Sequence, residues 1–277
     1  MHTKPELLEL LRSRGLRLKK RLGQHYLVDP GMTKRLVASC DLAPEDTVIE
    51  IGAGLGALTD LLAQRAGRVI AVEVDRAIAR LLTERMAAWP TVEVRHEDIL
   101  EFDWSAYPGA KVVGAIPYHI TSPIIVALAE QAAQIRGAWL AVQREVADRL
   151  AASPGTKAYG RLTVLAQHRF TVKCLFRIPR TVFFPPPDVD SAWLRLTPRT
   201  SGVVRASEAP LFFEVVRAAF GQRRKMLVNG LIDSLGLTRA QAVAAVQRAG
   251  LNDRVRGEQL SLPEFARLAA TVSAIRS

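Results

Sequence analysis

From residue 47 onward, short apolar runs alternate with longer stretches in which apolar residues recur every three or four positions. The runs "TVIEIG", "RVIAVEV", "TVEVRH", "KVVGAI" and "GAWLAVQ" have the length and near-continuous apolar character of strands buried on both faces. Between them "LTDLLAQRA", "RAIARLLTERMAAW" and "SPIIVALAEQAA" carry the 3.6-residue period of amphipathic helices, the last with Ser122 as its expected N-cap and Pro123 at the first helical position. Strand–helix–strand alternation of this kind predicts a parallel sheet with crossover helices. "RFTVKCLFRI" and "SAWLRLTP" follow as a strand pair that closes the sheet with an antiparallel edge.

After Pro198 the polar, turn-rich "RTSGVVRASEAP" breaks the pattern, and everything beyond it reads as helices. The expected fold class is therefore α/β: a Rossmann-like sheet domain over residues 1–200 and a small all-helical C-terminal domain over 201–277.

Charge changes the picture more than size does. The 277 residues hold 38 Lys+Arg against 27 Asp+Glu, a net +11, which points to a polyanionic partner. The charge is clustered. "RSRGLRLKKR" puts six basic residues in ten, ending in Lys19, Lys20 and Arg21, and "FGQRRKML" sets Arg223, Arg224 and Lys225 in a row. No apolar run approaches the roughly 18 residues of a membrane span and the N-terminus has no signal-peptide core, so a cytoplasmic protein is expected. Cys40 and Cys174 lie far apart among apolar neighbours and read as reduced, buried thiols; no zinc constellation is present in the sequence.

Candidate chemistry gathers where the strands end. "VIEIGAGLGALTDLL" places Gly52, Gly54 and Gly56 between a strand and a helix, where the backbone can turn sharply and approach a ligand. Glu73, 21 residues after Gly52, stands where an acid binds ribose hydroxyls. NAD and S-adenosylmethionine both satisfy this pattern. "VEVRHEDIL" puts Asp98 where it can accept from the exocyclic amine of a cofactor's adenine, or merely cap a helix. The fourth strand ends in "AIPYHIT". An aromatic amine is a poor nucleophile because its lone pair is delocalised, and two hydrogen-bond acceptors together with a stacked ring can hold it pyramidal and in line. Pro117 stiffens such a turn and presents backbone carbonyls, and Tyr118 offers the stacking face. With a polyanionic partner, this suggests an unpaired or flipped nucleobase.

"LGQHYLVDP", "VIEIGAGLGALT", "AVEVD", "HEDIL", "IPYHITSPII", "FFPPPDVDSAWLRL" and "AFGQRRKML", in this order, resemble the small-subunit ribosomal RNA adenine dimethyltransferases from about residue 20 to residue 265. The resemblance implies a helical C-terminal domain beside the methyltransferase domain, S-adenosylmethionine as donor without a metal, and N6,N6-dimethylation of two adjacent adenines in a hairpin loop near the 3′ end of small-subunit RNA. It carries Gln24, His25 and Leu27 onto a cofactor-contacting motif that normally reads Gly-Gln-Asn-Phe-Leu. Gly52 and Gly54 fall on the glycine loop, Glu73 on the ribose acid, Asp98 on the adenine acid, and Phe183 on a second wall of the target-base slot.

Residue 115 departs from the family pattern of Asn-Leu/Ile-Pro-Tyr, since the chain reads Ala115-Ile116-Pro117-Tyr118. An Asn oxygen expected beside the cofactor and the target amine is missing, and the Ile116 carbonyl is left as the second acceptor. Transfer is expected by in-line displacement without a protein general base, slowed by that absence. The basic clusters are the expected contacts to the RNA and to the immature small subunit, with the chain acting as a monomer. Three rivals stand beside this reading: an RNA-binding assembly factor with little catalysis, a large-subunit RNA adenine methyltransferase of the antibiotic-resistance type, and an NAD-dependent dehydrogenase.

Overall fold

The computed structural model describes residues 3–16, 18–19, 23–221 and 225–276. Packing divides the chain into two units, Met1–Ala147 with Lys173–Pro198, and Asp148–Val172 with Arg199–Ser277. Where the sequence reading placed one boundary near 200, the chain passes between units at three points. The early crossing has a packing reason: Tyr159 and Val164 join the helical core and not the sheet.

The strands are β1 (Tyr26–Leu27), β2 (Thr47–Ile51), β3 (Arg68–Glu73), β4 (Val92–His96), β5 (Ala110–Ala115), β6 (Ile135–Gln143), β7 (Phe170–Ile178), β8 (Phe183–Phe184) and β9 (Ser191–Pro198). The helices are α1 (Lys4–Ser13), α2 (Pro30–Ala38), α3 (Thr59–Ala63), α4 (Arg76–Met86), α5 (Thr121–Glu130), α6 (Arg144–Leu150), α7 (Arg161–Arg169), α8 (Ala209–Gly221), α9 (Leu227–Leu235), α10 (Arg239–Arg248) and α11 (Leu262–Arg276). Seven strands form the main sheet in the order β4-β3-β2-β5-β6-β9-β7. Strands β4, β3, β2, β5 and β6 run parallel, and β9 pairs antiparallel with β6. Chain order reverses between β2 and β5, so the carboxyl ends of β2, β3, β4 and β5 open onto one crevice, the place where open α/β sheets take ligands.

Strands β2, β3 and β5 form where the apolar runs predict because both faces are covered, whereas β4, at the sheet's edge, is only half-buried. Val48, Ile49, Val69, Ile70, Val112 and Val113 are wholly buried. Trp193, Phe183, Val113 and Trp139 share one core with α2 and α3 residues such as Leu36 and Leu62.

Two local expectations fail. Helix α5 begins at Thr121, one residue before the expected cap, because a 3-10 turn over Tyr118–Ile120 carries the chain out of β5 and makes Ile120 the N-cap. Pro123 is still tolerated, since the first four helical N–H groups have no intrahelical acceptor. Cys174 is exposed while Cys40 is buried, and neither is in a disulfide. Strand β7 is the edge of the sheet, and Lys173 and Cys174 on it are both exposed.

The second unit closes on its own core, with Phe212, Val215, Leu231, Ala245, Phe265 and Val272 all buried. His168 lies there at 1% exposure, stacked on Phe212 with ring centroids 5.2 Å apart, and accepts the Val203 N–H at Nδ1. Burial pulls its pKa down to about 4, so it is a neutral core residue. Among the described residues no helix is long and apolar enough to cross a membrane, and no group of His, Cys, Asp and Glu could hold a metal ion.

Candidate active site

The loop after β2 can approach a ligand because its glycines hold left-handed backbone, φ 68° at Gly52 and 56° at Gly54. At Gly54 space forbids a side chain as well: a Cβ would lie 2.9 Å from the Tyr26 ring. The loop is fastened to the end of β3 by Glu73. Its Oε2 accepts from the Gly54 N–H at 2.9 Å and its Oε1 from the Asp75 N–H at 2.8 Å. Glu73 is only 7% exposed. Burial raises its pKa, and the two backbone donors oppose the rise. Each oxygen keeps a further lone pair, so the expected ribose contact is compatible with this bracing.

The N-terminal segment is tied to the same place. Gln24 donates from Nε2 to Asp75 Oδ2 at 3.1 Å and accepts the Lys19 N–H at 2.7 Å. The Lys19 ammonium lies 2.9 Å from Asp75 Oδ2. Burial alone would raise the Asp75 pKa, but bonds from Lys19, the Ala77 N–H and Gln24 outweigh it and hold it below the usual carboxylate range. Lys19, expected at the RNA, is thus engaged with Asp75. Of the other basic candidates, Lys225 is exposed, whereas Lys20, Arg21, Arg223 and Arg224 lie outside the described residues. The buried Tyr26 hydroxyl finds no partner among the described residues. Burial, then Glu73 and Asp75, push its pKa up.

At the end of β5, Ala115 is half-buried and Ile116 is 2% exposed, its N–H given to the Ala141 carbonyl at 3.3 Å. The Pro117 carbonyl is occupied, accepting from the Ile120 N–H at 3.2 Å and the Thr121 hydroxyl at 3.4 Å. Of the carbonyls that the Pro-Tyr turn was expected to present, Pro117's is taken, and Ile116's has no hydrogen-bond partner among the described residues. The Tyr118 hydroxyl meets Ser191 Oγ at 2.6 Å, which pins the ring to the start of β9. Burial raises the Tyr118 pKa. His25 stacks beside this ring, centroids 5.7 Å apart at 27°, and its Nδ1 lies 2.7 Å from the Pro185 carbonyl. Antiparallel pairing of β1 with β8 sets Leu27 opposite Phe183, a residue only 5% exposed and shared with the core.

Asp98, one turn past β4, accepts the Leu100 N–H at 2.9 Å with Oδ1, so it does cap a local turn while standing at the crevice. Beneath the glycine loop Glu50 is 1% exposed and accepts from the Thr59 hydroxyl at 2.6 Å. Burial pushes its pKa up to about 8.

These side chains share one cavity of about 210 Å³. Gln24, His25, Leu27, Gly52, Gly54, Glu73, Asp98, Ala115, Ile116, Pro117, Tyr118 and Phe183 all line it, whereas Lys19 and Lys225 do not. One part carries carboxylates around a glycine turn and another carries aromatic faces. Tyr26, which with His25 stands in for the motif's Asn-Phe, lines the cavity as well, and sequence reading missed Asp75, Glu50 and Ser191. Asp75 carries a helix-start signal, an Asp directly before the apolar periodicity of α4, and its side chain does accept the Ala77 N–H. Glu50 is the one charged residue inside a run that otherwise reads as fully buried strand.

Residues 15–273 match the family model described as ribosomal RNA adenine dimethylase. The ribosomal RNA small subunit methyltransferase A of Pelotomaculum thermopropionicum is 43% identical over 275 residues, 94% of this chain and 93% of that protein. Among solved structures, a dimethyladenosine transferase from Plasmodium falciparum superposes with a TM-score of 0.80 at 23% identity, covering 91% of this chain and 98% of that one. The 23S rRNA methyltransferase ErmE superposes at 0.70 with 29% identity, covering 90% and 99%. The dehydrogenase reading that the glycine loop had left open is thereby overturned. The chain belongs to the ribosomal RNA adenine dimethylase family.

Proposed function

We propose that this chain dimethylates N6 of two adjacent adenines in a hairpin loop near the 3′ end of small-subunit ribosomal RNA. The observation that carries the reading is the Tyr118 ring, pinned by Ser191, in one cavity with the buried, doubly braced carboxylate of Glu73. The residues fit S-adenosylmethionine. The left-handed turn at Gly52 and Gly54 lets the backbone approach a ligand, Glu73 keeps free lone pairs for hydroxyl donors, and the orphaned Tyr26 hydroxyl supplies a further polar group beside them. Gln24, Leu27, Gly52, Gly54, Glu73 and Asp98 would hold this cofactor, which when bound supplies an electrophilic methyl on a sulfonium.

The chain's own task is then positional. Tyr118 holds the target base by stacking, with Phe183 as the opposite wall, and the Ile116 carbonyl accepts from one N–H of the amine. Ala115 offers no acceptor for the other. Lys20, Arg21 and the basic residues at 223–225 hold the phosphate backbone of the immature small subunit, and the chain works as a cytoplasmic monomer.

Mass spectrometry of small-subunit RNA from cells with and without the gene tests this reading, dimethyladenosine being expected only with it. Transfer to purified undermethylated subunits separates an enzyme from an assembly factor that binds without chemistry. The likeness to ErmE keeps a large-subunit adenine as the second reading, and methyl groups found there alone would select it. The greater identity to small-subunit relatives, 43% against 29%, supports the first.

A further inference from the structure

The cavity that lacks an acceptor at residue 115 is also lined by an imidazole. His25 sits 2.7 Å through Nδ1 from the carbonyl oxygen of Pro185, a group that can only accept, so Nδ1 carries the hydrogen. In the neutral ring this leaves Nε2 as a bare lone pair. The two ring nitrogens diverge, and with Nδ1 committed to the Pro185 loop, Nε2 is the polar atom His25 has to offer the cavity that it lines together with Ala115 and Ile116. The ring also lies against Tyr118, centroids 5.7 Å apart and tilted by 27°, an offset arrangement beside the ring on which a base would stack.

We propose that His25 is a catalytic residue of this chain, its Nε2 accepting the second N–H of the target amine in place of the acceptor that residue 115 lacks. The inference rests on the methyl-transfer reading above. As the N6–CH3 bond forms and the sulfonium S–CH3 bond breaks, the proton leaving N6 passes to Nε2 of His25 and from there to solvent. The Ile116 carbonyl holds the other N–H. The chain thereby assembles its pair of acceptors from the residue before β1 and the residue after β5, and the transfer that Ala115 was expected to slow is compensated.

The test is a double-mutant cycle in single-turnover transfer to undermethylated small subunits. His25→Phe keeps a flat ring beside Tyr118 and deletes the acceptor; it is expected to lower the rate by about 10- to 1000-fold at saturating cofactor and RNA. Ala115→Asn is expected to recover most of the loss in the His25→Phe background, a gain at least about tenfold larger than any it brings to the unaltered protein. A purely structural loss at residue 25 would not be rescued by an acceptor at residue 115. An unchanged rate in His25→Phe, or equal gains from Ala115→Asn in both backgrounds, overturns the proposal. Nitrogen NMR of labelled histidine in the free, unaltered protein provides a readout independent of activity. The His25 signal is assigned by its loss in His25→Phe or, should that variant not fold, in His25→Gln. A protonated Nδ1 and bare Nε2 are expected, and the opposite tautomer overturns the assignment. If the unaltered protein makes no dimethyladenosine, the proposed function itself fails; if it does and only the cycle is flat, the failure belongs to His25 alone.

Discussion

Replacing Glu73 by Gln keeps the side chain's size and removes its charge, in a place where both carboxylate oxygens are already at work. The Gly54 N–H reaches one at 2.9 Å and the Asp75 N–H the other at 2.8 Å. An amide has one oxygen, so whichever way it turns, one backbone N–H faces an NH2 group. Loss of one hydrogen bond to a charged acceptor costs roughly 1.5–3 kcal/mol. At about 2–4 °C per kcal/mol for a domain of this size, melting should fall by roughly 3–12 °C. Part of this is offset, because burial already disfavours the charge that the substitution removes. If ribose hydroxyls use the remaining lone pairs, S-adenosylmethionine should also bind about 10- to 150-fold more weakly, as titration calorimetry would read. Glu73→Ala orphans both N–H groups and should lose more on each measure. A lowered melting temperature with unchanged affinity would reduce Glu73 to a brace, and would remove it from the cofactor site.

Glu50 gives a pH signature. Its folded pKa stands near 8 against an ordinary value of 4.5, so between these limits the folded chain holds a proton that the unfolded chain has released, and stability falls as pH rises through that window. Glu50→Gln should match the unaltered protein near pH 5 and exceed it increasingly towards pH 8 in urea unfolding; a gap independent of pH contradicts this. Tyr118→Phe keeps the stacking face and should retain transfer within about tenfold, whereas Tyr118→Ala loses about 1–3 kcal/mol of stacking, or roughly 5- to 150-fold, in single-turnover transfer. Equal losses in the two variants would mean that the bond to Ser191, and not the ring face, is what matters. Neutralising Arg223, Arg224 and Lys225 together should flatten the slope of log K against log salt for RNA binding by about 2–3. An unaltered slope would make that cluster a solvated surface.

The sheet was legible because parallel strands buried on both faces leave near-continuous apolar runs, and Val48, Ile70 and Val112 sit where such runs require. The glycine loop and Glu73 were legible for a related reason: a sharp turn after a strand restricts which residues can occupy it. The links between distant segments could not be read in the same way. Tyr118 and Ser191 are 73 positions apart, and nothing in the composition of "DVDS" announces a hydrogen bond to a phenol. Ser122 looked like a cap, but the 3-10 turn that starts α5 earlier depends on how β5 leaves the sheet. Asp148–Val172 was read as a continuation of the sheet domain because its local pattern does not say which of two cores Tyr159 and Val164 will join.

The pairing of Tyr26 with Phe184 and of Leu27 with Phe183 has a consequence in time. These partners are separated by 183 − 27 = 156 residues, so one wall of the cavity belongs to the start of the chain and its neighbour to a segment made much later. At about 5–20 residues per second of synthesis, roughly 8–30 s pass between the appearance of Leu27 and that of Phe183. The glycine loop, Glu73 and Tyr118 are all made within that interval. During birth on a ribosome, therefore, the chain carries an open crevice whose floor is complete while its rim awaits a strand, and the pocket closes as a late, long-range event in folding.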